Sequence, residues 1–152
     1  MKRTALVLAA AVAFAAIARS AHGDPLDARH IVALTNASRR QAGLAPVTVD
    51  ERLVAAAKAK LFDMLRRDYF AHDTPDGRQP WAFMQAAGYR FQAAAENLAK
   101  GYDNEPELQQ AWMKSRGHRA NILNPLFTEI GVADANGIVV VMFGRPAPPK
   151  TP

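Results

Sequence analysis

The sequence predicts an α+β protein in which helices pack on an antiparallel sheet. Segments with a helical pattern come first, and the clearest pair of strands, 129–133 with 138–143, comes last. Asn136-Gly137 between these strands is typical of a tight hairpin turn. This order does not match the regular alternation of strands and helices that builds a parallel sheet.

Capping and turn residues delimit the predicted helices. Asp27, Asp50 and Asn104 are suited to cap helix N-termini, and Pro80 fits the first turn of a short helix. Gly117 is expected to end the last helix, since glycine commonly follows a helix C-terminus. The predicted helices are 28–42, 51–67, a short segment between 80 and 88, and 104–115.

A single domain over 28–144 accommodates these elements. A further strand is predicted at 90–97, where the odd-numbered positions are the more apolar ones. The connection 44–49 is expected to be extended and interrupted by Pro46. The segment 145–152 is rich in proline, and it is predicted to be a flexible tail.

The N-terminus has the organisation of a secretory signal peptide. Lys2 and Arg3 precede a run of 14 apolar residues at 5–18, and a small-residue exit follows. The run is too short for a membrane-spanning helix, which needs about 20 residues. Cleavage is predicted after Gly23, with cleavage after Ser20 as the alternative, so the protein is expected to be periplasmic or extracellular.

The charge and the absence of cysteine exclude several classes of function. The formal net charge is +5, but three basic residues lie in 1–23, which leaves 16 basic against 14 acidic residues in the mature chain. This near balance does not predict nucleic-acid binding, which needs clustered basic residues. Without cysteine, a thiol nucleophile and a thiolate metal site are also excluded. A monomer without a stable membrane span after cleavage is expected.

Two histidines and one glutamate are the best candidates for chemistry. His72 and His118 lie in turn-rich segments after predicted helices, whereas His30 lies in the first turn of a helix. Glu96 is a carboxylate on an otherwise small and apolar strand, where burial is costly unless the group is paired. Two imidazoles and a carboxylate are a common zinc ligand set, although separations of 24 and 22 residues match no local metal motif.

Ordered segments over about 28–144 resemble the CAP superfamily of cysteine-rich secretory, antigen 5 and pathogenesis-related 1 proteins, and its cysteine-free bacterial branch in particular. Each segment is weak alone, but their order and spacing together are specific. The segments are LTNASR (34–39), GLAPV (43–47), RDYFAH (67–72), PDGR (75–78), AGY (87–89), AENL (95–98), WMKSRGHRANILNP (112–125), FTEIGV (127–132) and FG (143–144).

The resemblance implies a three-layer α-β-α sandwich with a central antiparallel sheet and a cleft formed by two His and two Glu. The matching positions are His72, Glu96 and His118, and the second Glu is replaced by Ser115. This replacement removes one carboxylate from the implied ligand cleft of His72, Glu96, Ser115 and His118. The implied metal ligands are His72, His118 and Glu96, with zinc or another divalent cation as the possible cofactor.

Three hypotheses about function follow. The first is an extracytoplasmic binding module whose cleft holds a divalent metal, a small ligand, a lipid or a peptide. The second is a hydrolase in which a metal or the histidines and Glu96 activate water, although Ser38 and Ser115 show no nucleophile motif. The third is a structural envelope protein without an active cleft. Arg39 is expected to anchor loops, and Trp81 and Trp112 are expected to lie in the core.

Overall fold

The computed structural model describes residues 25–149, so the predicted signal peptide and its cleavage site lie outside the described residues. Five helices and four strands make up this part of the chain. In chain order they are α1 (Ala28–Gln41), β1 (Thr48–Val49), α2 (Glu51–Arg67), α3 (Trp81–Ala86), β2 (Phe91–Lys100), α4 (Glu105–Lys114), α5 (Arg116–Ile122), β3 (Glu129–Ala135) and β4 (Ile138–Pro146).

The four strands form one sheet in the order β1-β3-β4-β2. The three long strands pair antiparallel, as predicted, and β3 and β4 form the expected hairpin. The short β1 differs, because it pairs parallel to β3 with Thr48 opposite Glu129. The segment 44–49 was expected to be only a connection. It joins the sheet through two backbone hydrogen bonds of 3.0 Å, from Thr48 N to Thr128 O and from the following Asp50 N to Ile130 O.

Helices cover both faces of the sheet, which confirms the α-β-α sandwich. One apolar cluster joins α1, α4 and α5 to one face, and a second joins α2 and α3 to the other. The central strand β4 contributes to both clusters, with Val141 on the first face and Val140 on the second, and both are fully buried. Gly131 on β3 lets α2 approach closely, because a Cβ there would lie 2.1 Å from the backbone carbon of Leu53.

The helix caps were predicted well, but the region after α4 was not. The side chains of Asp27, Asp50 and Asn104 accept hydrogen bonds from the first backbone N–H groups of α1, α2 and α4. The prediction that Gly117 ends the last helix is wrong, since Gly117 lies inside α5. The break occurs at Ser115, whose extended backbone (φ −83°, ψ 123°) separates α4 from α5.

Arg39 anchors loops, as predicted. Its side chain is buried with 1% exposure and donates to four backbone carbonyls at 2.9–3.0 Å. The acceptors are Ala45, Ile122, Asn124 and Phe127. A buried guanidinium with several partners ties the turns after α1 and α5 together.

Two features concern the ends of the described region. Strand β4 continues to Pro146, two residues beyond the predicted domain boundary at Gly144, and the Ala147 N–H donates to the Arg90 carbonyl. Within residues 25–149, no helix has both the length and the apolar character needed to cross a membrane.

Candidate functional site

His72 and Glu96 form a hydrogen-bonded pair at one edge of the sheet. His72 lies in the loop after α2, and Glu96 lies on β2. The two side chains meet with His72 Nδ1 2.7 Å from Glu96 Oε1. The carboxylate side chain is 1% exposed, whereas the imidazole is 58% exposed. The pair therefore presents a solvent-accessible ring supported by a buried acid.

A buried lysine fixes the backbone of the His72 loop. Lys60 on α2 is fully buried, and its Nζ donates to the carbonyls of Ala71 at 2.8 Å and His72 at 2.6 Å. The same ammonium lies 3.2 Å from the Tyr69 hydroxyl, which donates to buried Asp63. Lys60 was not among the residues predicted for the site. The available signal was its position on the apolar face of α2, where a lysine needs several buried acceptors.

Burial and pairing shift the pKa values of the site in different directions. Burial raises the pKa of Glu96, although its bond to His72 acts in the opposite direction. The bond to Glu96 raises the pKa of His72 above its usual 6.5. Glu96 Oε2 is buried and has no hydrogen-bond partner within residues 25–149. The carboxyl group thus keeps one acceptor that the described part of the chain does not satisfy.

His118 lies close to this pair but is held differently. It is half-buried on α5, and its ring centroid lies 6.2 Å from that of Trp112. Burial lowers the pKa of His118, and the charge of His72 lowers it further. Ser115 lies at the junction of α4 and α5, where its backbone N–H donates to α4 carbonyls. The structure therefore brings His72 and Glu96 into contact, with His118 within electrostatic reach.

A cleft of about 300 Å³ opens beside the His72–Glu96 pair. Asn121, on α5, borders it and donates to Glu96 O at 3.3 Å and to Asn97 Oδ1 at 2.8 Å. His118 and Ser115 are not among the cleft residues. The residues that line the cleft are His72, Asp73, Gln79, Pro80, Trp81, Ala94, Ala95, Glu96 and Asn121.

The two tryptophans divide between core and cleft. Trp112 is buried with 2% exposure and donates to Leu98 O at 3.3 Å, which confirms the core prediction. Trp81 is only half-buried and borders the cleft, so its prediction as a core residue is correct only for the side that packs on Phe91. A partly exposed indole offers a flat apolar surface to a ligand.

Within the described residues, the predicted metal ligands are divided between the His72–Glu96 pair and the separate His118. Among residues 25–149, no three His, Cys, Asp or Glu side chains are grouped closely enough to hold one. His72 Nδ1 is bonded to Glu96, and His118 lies outside the cleft lining. Zinc binding stays a prediction.

The sequence matches proteins of known family and unknown role. Residues 32–139 match the model of the CAP, or cysteine-rich secretory protein, family. Two curated relatives come from Bacillus subtilis. The uncharacterized protein YkwD is 46% identical over 104 residues, and the uncharacterized membrane protein YlbC is 32% identical over 104 residues. The match covers 68% of this chain but only 40% and 30% of these relatives.

Solved structures agree with the fold. An extracellular protein containing an SCP domain from Bacillus anthracis has a TM-score of 0.73 at 32% identity, over 77% of this chain and 39% of that one. An outer surface protein of Borrelia burgdorferi has a TM-score of 0.71 at 21% identity, over 82% of this chain and 99% of that one. The family match, which covers well over half of the chain, and these folds lead to one conclusion: the protein belongs to the CAP family of cysteine-rich secretory proteins.

Proposed function

We propose that the protein is an extracytoplasmic binding module whose cleft beside His72 and Glu96 holds a small ligand. The observation that carries the proposal is the pairing of an exposed imidazole with a buried carboxyl group that has an unsatisfied oxygen. Burial of an acceptor without a donor costs free energy, and such a group in a folded protein often has a role in binding or catalysis. The neighbouring Trp81 and Asn121 add an apolar surface and an amide to the same cleft.

The location outside the cytoplasm rests on two supports. The first 23 residues have the charge and apolar pattern of a secretory signal. A relative of similar fold from B. anthracis is described as extracellular. N-terminal sequencing of exported protein is expected to find Asp24 first. A membrane-bound species that retains residues 1–18 would contradict this expectation.

A ligand screen with matched histidine variants tests the binding function. The full mature protein is heated with divalent cations, small anions, short peptides and lipids, and His72→Ala is compared with His30→Ala. His30 is a matched control, because its imidazole also pairs with a glutamate and lies 3.2 Å from the Glu105 carboxylate. At least one ligand should raise the Tm of wild type and His30→Ala but not of His72→Ala. The proposal fails if no ligand separates the two variants.

Hydrolysis is the alternative that one observation favours. An imidazole oriented by a buried carboxylate is the arrangement of a general base. The serine nucleophiles are poorly placed, however, since neither Ser38 nor Ser115 lines the cleft, and Ser38 Oγ accepts a bond from Gln109. Water would have to be the nucleophile. Turnover of ester or peptide substrates that His72→Ala loses and His30→Ala keeps would establish this alternative.

A further inference from the structure

The hydrogen-bond pattern of the sheet identifies which backbone groups of β2 face away from it. The carbonyl of Gly144 on β4 accepts from Thr128 N at 3.0 Å, so the even-numbered residues of β4 face β3. The odd-numbered residues of β4 must then face β2, because successive residues of a strand point their backbone groups to opposite sides. Since Ala95 pairs with Phe143, the odd-numbered residues of β2 bond to β4 and the even-numbered ones face outward.

Side chains cover only the second half of this outer edge. Trp112 Nε1 donates to the carbonyl of Leu98, and Asn121 Nδ2 donates to that of Glu96, each at 3.3 Å. Both acceptors are even-numbered, as the pattern requires. By the same pattern the Ala94 N–H and C=O and the Glu96 N–H point away from β4, and no turn, loop or side-chain hydrogen bond reaches them within the described part of the chain. The outward backbone groups of β2 from Glu96 back to Ala94 are therefore without hydrogen-bond partners in the described residues.

Nothing in the local sequence protects this open stretch. Free strand edges in proteins are usually shielded by lysine, proline or a covering loop, because they pair readily with other chains. Here the residues are exposed Gln92 followed by three alanines, 93–95. A shift in register between Phe91 and Ala93 twists only the beginning of the strand. Small side chains leave room for a second backbone to approach.

The cleft lies along this same edge. Ala94 packs on the face covered by α2 and α3, and Ala95 lies in the cluster on the opposite face. Glu96 shares the face of Ala94, because side chains two residues apart on a strand point to the same side. A cleft lined by all three must run past the edge between the two faces. Trp81 borders it from one side and Asn121 from the other. The open backbone groups thus form part of the cleft wall.

We infer that the cleft binds an extended peptide segment, which adds to β2 as a further strand at Ala94–Glu96. This inference rests on the proposed binding function and names its ligand class. Two outward N–H groups and one C=O alternate here at strand spacing, about 6.6–6.8 Å per two residues. An extended peptide backbone supplies the matching acceptors and donor, which is the basis of β-strand addition. A volume of about 300 Å³ suits a short segment.

Peptides selected from a displayed library of random octapeptides, then synthesised, test the inference on the mature protein. Binding should shift the NMR signals of the Ala94 and Glu96 amides and slow their hydrogen exchange by about tenfold or more. Ala94→Pro removes the outward N–H but no bond to β4, so it should weaken binding about tenfold, equivalent to about 1.4 kcal/mol. Ala94→Ser keeps the N–H, and it should bind like wild type.

The peptide itself provides a test that does not depend on the folding of Ala94→Pro. N-methylation at alternate residues should abolish binding in one register and preserve it in the other, because only alternate N–H groups face β2. Equal tolerance of methylation in both registers would overturn the inference. So would protection of the Ala94 and Glu96 amides that depends on protein concentration alone, since a second copy would then occupy the edge.

The two proposals can fail separately. If no octapeptide binds, but another ligand still separates His72→Ala from His30→Ala, the peptide inference is wrong and the binding function stands. If neither kind of ligand is found, both are wrong. Peptide binding that is weakened by His72→Ala but not by Ala94→Pro would place the peptide in the cleft without strand addition. This result would also overturn the inference.

Discussion

Two His–Glu pairs in the described part of the chain, His72–Glu96 and His30–Glu105, differ most in the burial of the glutamate. The imidazoles of His72 and His30 are similarly exposed, at 58% and 46%. Their partners differ, since the side chain of Glu96 is 1% exposed and that of Glu105 is 15% exposed. The distances follow the same order, 2.7 Å for the cleft pair and 3.2 Å for the other.

The environment of the carboxylate, and not the pairing itself, separates the two sites. Glu105 also accepts from the Asp27 backbone N–H, which is the main reason its pKa is lowered. Glu96 has no such donor on its second oxygen, and burial raises its pKa. The His30–Glu105 pair is a surface contact that supports α1 and α4. The His72–Glu96 pair keeps an unsatisfied acid beneath an accessible base, which is an arrangement suited to binding or proton transfer.

The largest effect is expected from Lys60→Met, which releases the loop that holds His72. The carbonyls of Ala71 and His72 would lose their buried donor, and we expect a loss of about 2–4 kcal/mol in the free energy of unfolding. Lys58 is exposed on the same helix and serves as the control. Lys58→Met should change the free energy of unfolding by less than about 0.5 kcal/mol. Urea unfolding measures both. Equal effects would mean that Lys60 does not support the site.

Removing each histidine tests whether burial of the carboxylate matters. His72→Ala leaves Glu96 buried without its partner, and we expect a loss of about 2 kcal/mol in unfolding free energy near pH 7. His30→Ala leaves Glu105 near solvent, so a loss below about 0.5 kcal/mol is expected. Urea unfolding of both variants measures the difference. If His30→Ala costs as much as His72→Ala, the comparison between the pairs is wrong.

The cleft pair should also titrate in its own pH window. Because the pKa of folded His72 is raised above 6.5, the stability from its charged form is complete below 6.5 and is lost as the pH rises through the folded value. The raised pKa of Glu96 also lowers the free energy of unfolding as the pH rises through the titration of this carboxyl group. The lowered pKa of His118 has the opposite effect, because the free energy of unfolding then increases as the pH rises toward 6.5. The advantage of wild type over Glu96→Gln should therefore shrink above pH 6.5.

NMR titration of the histidine rings resolves these contributions. His72 should lose its proton above pH 6.5 and His118 below it, because the bond to Glu96 acts only on His72. In Glu96→Gln the midpoint of His72 should fall. A His72 midpoint below that of His118 in wild type would show that the buried carboxylate does not govern the site.

The sequence predicted what short-range patterns determine. Caps at Asp27, Asp50 and Asn104 set the starts of three helices, because a side-chain acceptor and the following N–H groups lie within one turn. The end of the fourth helix near Ser115 was predicted, but α5 directly after it was not, because Gly117 was expected to stop the helix. Tertiary packing of α5 on β2 decides where the chain bends, and no local pattern records it.

The site was only partly predictable for the same reason. The resemblance named His72 and Glu96, but burial of Lys60 depends on carbonyls 11 and 12 residues away in a loop. The open edge of β2 depends on the strand order, which places β2 last in the sheet. Strand order arises from contacts between distant segments. The local pattern of three alanines at 93–95 therefore predicts a strand but does not indicate that the strand lies at the edge of the sheet.

The smallest expected effect is the sharpest test of the comparison, because it measures each pair directly. Double-mutant cycles should give a coupling of about 1–3 kcal/mol for His72–Glu96 near pH 6, typical of a hydrogen bond to a charged group. His30–Glu105 should give about 0.2–1 kcal/mol, as exposed pairs do. In about 1 M NaCl the Debye length falls to about 3 Å, so the second coupling should approach zero while the first largely persists. If salt removes both couplings equally, water and ions reach Glu96 as freely as Glu105, and the cleft acid is not sheltered in solution.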